Sequence, residues 1–422
     1  MNWEQRYRLK QMARTSLVLW AGLALAAALV FAPFVRWLDQ GTSHVIFGYG
    51  PESARLVLGA LAGSMLTFIV FVLSATLIVV QLAAGQLTPR IVAMVFAMPW
   101  VRITLGLFTF TYAYTLAALG RIEDQVPHLL IGIAVILNLG CILGFYFFVQ
   151  NLSYGLRSTS MMQLVADRGL RVIEQVYPRK YNGTIPEQPE KEMLVEREVV
   201  IDYAKRSGVV LAFSAPDLVR IATEADTVIE LIPQVGDFVA TGDPLYRLSP
   251  GRKPVTSESL HACVAVGAER TLEQDPRFVF RILVDIASRA LSPAVNDPTT
   301  AVLVLDQIHN LLLFLGRRHL DEGLIRGVDG QVRLIHGTPD WHDFVILAVS
   351  EIRQFGEASL QVDRRLRAML EHLIETLPEV RGAPLREELA LLGRGVERRF
   401  SDVEDRKRAV IGDYQGVGGS DS

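Results

Sequence analysis

Cysteine, catalytic motifs and an excess of either charge are what this sequence has least of. Two cysteines occur in 422 residues, Cys141 and Cys263, far apart and with no CxxC or Cys/His pattern beside them. That excludes a disulfide-braced secreted fold and a standard zinc site, and both thiols read as reduced, buried side chains. A net charge of −3 gives no basic surplus for nucleic-acid binding. No GxxxxGK[ST], GxSxG, HExxH or GxGxxG run occurs, so nothing nominates a nucleophile and its base. An enzyme, a cofactor and a metal are therefore not expected.

Apolar residue is what the chain has in quantity. Half of it is hydrophobic and only 21% is charged. Residues 1–152 carry nine Lys/Arg and five Asp/Glu, whereas the remainder carries 33 and 40. A membrane-like first third thus precedes a mildly acidic soluble body. Apolar stretches at 16–38, 56–84, 102–119 and 126–152 approach or exceed the roughly 20 helical residues that span a hydrocarbon core. The first follows Arg6, Arg8, Lys10 and Arg14 and is too long for a cleaved leader. Basic residues in the leader, with Arg90, Arg102 and Arg157, outnumber Arg36, Arg55 and Arg121 on the opposite side. Both termini are then expected in the cytoplasm.

The second stretch carries the main pattern. Ser64, Thr67, Phe71, Ser74, Ile78 and Gln81 are spaced alternately three and four apart, which puts them on one helix face. Hydroxyls and an amide on one stripe should avoid lipid, where unpaired polar groups cost several kcal/mol. Two readings follow: interhelical packing, or the lining of a water-accessible pathway in an oligomer. Gly59/Gly63 and Gly140/Gly144 form GxxxG pairs. Thr104, Thr111 and Thr115 share a face with Phe108, consistent with docking on the second helix, and Asn138 is expected to hydrogen-bond between helices. No Asp, Glu, Lys or His sits mid-stretch, which counts against ion-coupled transport and leaves passive permeation open. Thr88-Pro89 opens a short apolar segment at 91–98 suited to the interface.

Beyond a polar connector with a helix near 161–176, short strands are expected at 195–201, 208–213, 227–232, 238–239, 244–248 and 261–267. Gly236-Asp237 and Gly242-Asp243 supply turns between them. The string Ser207-Gly208-Val209-Val210 with Pro233-Gln234-Val235-Gly236-Asp237 through Gly242-Asp243-Pro244-Leu245 resembles the barrel of biotinyl and lipoyl domains. The carrier lysine is missing, and 215–226 reads as a short helix in its place, so a scaffold barrel without cofactor is expected. Helices follow at 275–291, 298–317, 340–356, 360–376 and 384–405, with a strand at 331–336. The tail is expected to be disordered.

The loop Ser292–Thr300 is the candidate site of the body. Asn296, Asp297, Thr299 and Thr300 stand where two helix ends meet, and free N–H groups at a helix start can hold an anion. Plain capping by Asp297 is the alternative. His336, Asp340, His342 and Asp343 read as a turn into a helix rather than as metal ligands.

Three strings together resemble the bacterial integral membrane proteins catalogued as domain of unknown function 2254. They are Gly63-Ser64 through Gln86-Leu87-Thr88-Pro89-Arg90, then Glu269-Arg270-Thr271-Leu272-Glu273-Gln274-Asp275-Pro276, and Ala290-Leu291-Ser292-Pro293-Ala294-Val295-Asn296-Asp297-Pro298-Thr299-Thr300-Ala301. The resemblance implies a bacterial inner-membrane protein and supplies no activity. The expected fold is a four-helix transmembrane domain (1–152), a connector (153–192), a small biotinyl/lipoyl-like β-barrel (193–268), a helical cytoplasmic domain (269–406) and a tail (407–422). Two functions stay open. One is an oligomeric channel-like protein gated by its cytoplasmic body. The other is a non-conducting scaffold or sensor whose body binds a partner or small ligand. Expected partners are the lipid bilayer, further copies of the chain and a small ion or ligand.

Overall fold

A computed structural model describes residues 2–39, 50–86, 98–122, 127–155, 158–183, 199–320 and 323–417. Two compact units result, Leu9–Ser160 and a second made of Met1–Arg8 with Met161–Ser422. The expected interfacial segment at 91–98 falls outside the described residues but for Met98.

In the first unit, α1 (Trp3–Thr15) runs in from the second unit and is followed by α2 (Leu17–Asp39), α3 (Pro51–Gln86), α4 (Pro99–Leu119) and α5 (His128–Gly155). Helix α4 packs against α2, α3 and α5. Its Val101, Thr104, Phe108, Thr111, Tyr114 and Thr115 are buried. Small residues of α2, Ala28 and Ala32, let the helices approach closely. The Phe68 ring of α3 meets those of Phe108 and Phe145 at 6.0 and 5.1 Å. Asn138 donates to the Thr115 hydroxyl at 3.0 Å and to the Ala134 carbonyl at 2.8 Å, the interhelical bond its position suggested.

Among the described residues, four helices are long and apolar enough to cross a membrane: Leu17–Asp39, Pro51–Leu82, His128–Leu152 and Pro298–Gly316. Three coincide with expected spans. The fourth belongs to the second unit, and the stretch at 102–119 is not among them. Helix α4 lies among three others, and its Thr104, Thr111, Tyr114 and Thr115 are buried between them. Pro298–Gly316 is 56% buried by its own unit, and its apolar composition serves a protein core.

The second unit continues with α6 (Ser158–Val176), β1 (Val199–Asp202), β2 (Gly208–Phe213), α7 (Ala215–Ala225), β3 (Ile229–Leu231), β4 (Phe238–Val239), β5 (Pro244–Leu248), α8 (Ser257–His261) and β6 (Val264–Gly267). Then come α9 (Pro276–Ala290), α10 (Pro298–Gly316), β7 (Leu324–Arg326), β8 (Val332–His336), α11 (Trp341–Phe355), α12 (Leu360–Thr376), α13 (Gly382–Arg399) and α14 (Val403–Ala409). Caps set these starts as the sequence suggested. Asp275 accepts from Phe278 N at 3.0 Å, and Asp340 with Asp343 forms a capping box at α11. The helix expected over 384–405 is broken between Arg399 and Val403.

No barrel closes. Six strands appear where six were expected, but they divide between two sheets, β1-β5-β3-β8-β7 and β4-β2-β6. Strand β3 gives its second edge to β8 in parallel, with Glu230 opposite Ile335, so it does not return to the first strands. The 331–336 strand, assigned to the helical part, thereby completes the sheet. Gly236 and Gly242 hold turns with φ of +96° and +93°, the left-handed region that glycine tolerates best.

Residues 410–417 of the tail also differ from expectation, while 418–422 lie outside the described residues. Asp413 is buried, its amide donates to the Arg364 carbonyl at 3.1 Å, and Gln361 Nε2 donates to the Gly416 carbonyl at 2.6 Å. Residues 410–417 therefore form a strap along α12, because backbone groups there find partners that a Gly/Ser-rich composition does not reveal.

Candidate functional site

The α3 stripe and the 292–300 loop come out very differently. On α3, Met65, Val72, Thr76 and Val79 are buried against the bundle. Ser64, Thr67, Phe71, Ser74, Ile78 and Gln81 all lie on the opposite, exposed side of the helix. Ser64 and Thr67 return their hydroxyls to the Ala60 and Gly63 carbonyls at 2.9 and 3.1 Å. Among the described residues, Ser74 and Gln81 have no side-chain partner. Gly59 and Gly63 share this outward region, with nothing within 4 Å of a built Cβ. Gly144 is the reverse case: its Cβ would lie 3.4 Å from Leu107 and 3.5 Å from Phe108, so that GxxxG is used inside the chain.

The loop is closed on itself. Asp297 Oδ1 accepts from Thr300 N at 3.0 Å, and its Oδ2 accepts from the Thr300 hydroxyl at 2.5 Å. Asn296 sits at φ +47° and donates its amide to Ser292 O at 2.9 Å, while Asp297 N donates to Ala290 O at 2.7 Å. Thr299 is exposed. The carboxylate already takes the Thr300 amide and hydroxyl, so the geometry is that of a helix cap.

A cleft of about 880 Å³ opens in the second unit, where Trp3 and Arg6 face Arg220, Lys253, Thr256 and Cys263. Burial pushes the Cys263 thiol up to about 11, which leaves it protonated at neutral pH. Arg220 is paired with Asp217 and Glu224. Among the described residues, no group of three or more His, Cys, Asp or Glu is placed to hold a metal.

One cluster had escaped sequence reasoning. His309 of α10 and His372 of α12 share a hydrogen bond, Nε2 to Nδ1, at 2.8 Å. Buried Arg365 lies beside them, Nη2 3.0 Å from His309 Nδ1 and Nε 2.8 Å from Asp306 Oδ1. Arginine only donates, so His309 Nδ1 must be the acceptor and its proton sits on Nε2. His372 Nδ1 accepts that proton in turn. Burial, then the Arg365 charge and His372, lower His309 from 6.5 to about 4. The trace in the sequence is a short polar stretch, Asp306-Gln307 and His309-Asn310, within a largely apolar helix.

A family model described as a predicted membrane protein, domain of unknown function 2254, matches residues 14–372. The chain belongs to this family. Uncharacterized proteins of Mycobacterium tuberculosis and Mycobacterium bovis are each similar to it, at 27% identity over 400 residues, covering 91% of this chain and 76% of theirs. No solved structure matches the chain. The string Glu269–Pro276 that suggested the family has a clear structural task. Thr271 bonds the Tyr7 hydroxyl at 3.1 Å, Gln274 brackets the backbone of Phe213 at 3.1 and 3.3 Å, and Arg270 donates to the Gly236 carbonyl. It fastens the N-terminal helix and the smaller sheet to α9.

The N-terminal residues are held at several further points. Lys205 bonds Glu4 at 2.6 Å, Arg8 donates to Val266 O at 3.1 Å, and Tyr7 packs with Leu211, Ala212 and Ala265. Burial pushes the Glu4 carboxyl up, but the bonds from Lys205 and Arg8 outweigh it and leave it below the usual value.

Proposed function

We propose that this membrane protein is one subunit of a homo-oligomeric, channel-like assembly for passive permeation in the bacterial inner membrane. In this reading α2 to α5 are the spans, both termini and the second unit are cytoplasmic, and no catalytic step is performed. The observation that carries it is the outward stripe on α3. Hydroxyl and amide groups on lipid-facing helix surface are costly, so a second copy or water must meet Ser74 and Gln81. The open Gly59/Gly63 pair on the same region supports close approach of a neighbouring helix. A small polar solute or ion suits the stripe, because no ionisable side chain lies along it.

Single cysteines at Ser64, Thr67, Ser74 and Gln81 test the reading with small polar thiol reagents. Leu66, Val70 and Leu77 are exposed beside the stripe, so cysteines there serve as lipid-facing controls, where thiolates do not form. Periodic labelling of the stripe alone, with flux in liposomes that Ser74→Leu reduces, is the expected result. A monomer in mild detergent, or unreactive stripe cysteines without flux, rejects the channel and leaves the membrane-anchored scaffold or sensor.

A further inference from the structure

The His309–His372 pair cannot take up a proton without losing a hydrogen bond. A proton on His309 Nδ1 would point at the Arg365 guanidinium, 3.0 Å away. A proton on His372 Nδ1 would oppose His309 Nε2–H across 2.8 Å. Shifting the His309 proton to its other nitrogen only moves the conflict back to Arg365. The chain from Asp306 through Arg365 to His372 is thus complete only when both rings are neutral.

The C-terminal strap is fastened to the same stretch of α12. Gln361 holds Gly416 O, Arg364 Nε donates to Ile411 O at 3.0 Å, and Asp413 N donates to Arg364 O. A Cβ at Gly416 would lie 3.5 Å from Arg365 Cδ, and one at Gly412 would lie 3.1 Å from Glu371 Oε2. The strap therefore lies along the stretch of α12 from Gln361 to Glu371, which carries Arg365 and leads directly into His372. Tyr414 on the strap feels Glu375, Glu371 and Arg365 electrostatically, and Asp306 faces the cluster from α10.

We propose that the neutral His309–His372 pair is a proton-operated latch that keeps the C-terminal strap seated, and that protonation releases it. The proposal is independent of the α3 stripe. Any added charge sits beside Arg365, whose Nη1 is already buried without a hydrogen-bond partner. Swinging Arg365 outward relieves the repulsion, and that movement displaces the side chain that lies beside Gly416 and whose charge Tyr414 feels. The linkage has a definite sign. Closed, His309 titrates near 4; open and hydrated, it returns towards 6.5. Between those values the open form takes the proton and the closed form does not, so acid favours opening.

Hydrogen exchange of residues 410–417 in the full chain, in detergent, tests this. After correction for intrinsic rates, strap opening should rise about tenfold between about pH 7.5 and about pH 5.5, the equivalent of one pKa unit. His309→Gln with His372→Gln preserves donor and acceptor roles without titration and should abolish that rise. Nitrogen-15 spectra of labelled histidine should show His309 protonated at Nε2 at neutral pH, and this measurement needs no variant. Unchanged wild-type strap exchange across the window would overturn the latch. So would an equal rise in the glutamine pair, or a His309 that titrates near 6.5 with the strap still seated.

Discussion

Asn138 and Thr115 face each other across the α5–α4 contact, the amide nitrogen 3.0 Å from the hydroxyl, and both are buried. The hydroxyl passes its own proton to Thr111 O at 2.7 Å, so the two side chains form a short relay between helices. Asn138→Leu removes the donor and should lower the detergent melting midpoint, with a loss of about 0.5–2 kcal/mol for such a bond within a bundle. An unchanged midpoint would mean that packing alone holds α4 to α5.

The two GxxxG pairs should respond in opposite ways. Gly144→Leu drives a side chain into Leu107 and Phe108 and should destabilise each subunit. Gly63→Leu meets only open space in the chain, so melting of the single chain should hold, while the proposed homo-oligomer should weaken. Size-exclusion with light scattering beside a melting curve separates the two. Subunit destabilisation by Gly63→Leu would remove the basis for contact through that face.

At Gly236 two penalties coincide. Its φ of +96° disfavours any side chain, and a Cβ would come within 2.7 Å of Asp275 Oδ2. Gly236→Val in the full chain should therefore lose about 1–3 kcal/mol from the backbone conformation alone, with the clash added to it. Gly242→Val, at +93° but with open space around it, should lose less. Equal melting midpoints for the two variants would discount the Asp275 contact.

Asp363 is fully buried beside Arg399, and burial pushes its carboxyl from 3.8 up to about 6. A raised folded value means stability that is present below 3.8 and lost as pH rises through about 6. Melting midpoints of wild type and Asp363→Asn, compared at steps across that window, should show wild type losing ground relative to the variant as pH increases. A constant difference would show that Asp363 does not titrate there. His309 acts in the opposite sense over part of the same range, so the comparison is best repeated in the glutamine-pair background.

Local features of this fold were legible because they depend on neighbours in sequence. Asp275, Asp297 and Asp340 announced helix starts, and Gly236 and Gly242 announced turns. Partnerships across long separations were not legible. Nothing in 229–231 signals that its second edge belongs to 334–336, so a closed barrel was the nearest local inference. Hydropathy by itself does not separate a membrane span from a core helix: α10 is apolar enough to cross a membrane, yet it packs within the second unit, where the sequence pattern had placed it. For the candidate sites, spacing gave the α3 face, while its exposure needed coordinates. His309 and His372, 63 residues apart, could only be paired by the folded helices.

The clamp on the N-terminal helix has a consequence for the timing of synthesis. Tyr7 waits for Thr271, 264 residues later, and Glu4 waits for Lys205. A ribosome adding about 5–20 residues per second has delivered α2 to α5 well before those partners emerge. Glu4 and Tyr7 are thus made long before they find their place, and a chain stalled before residue 271 leaves their helix without that anchor.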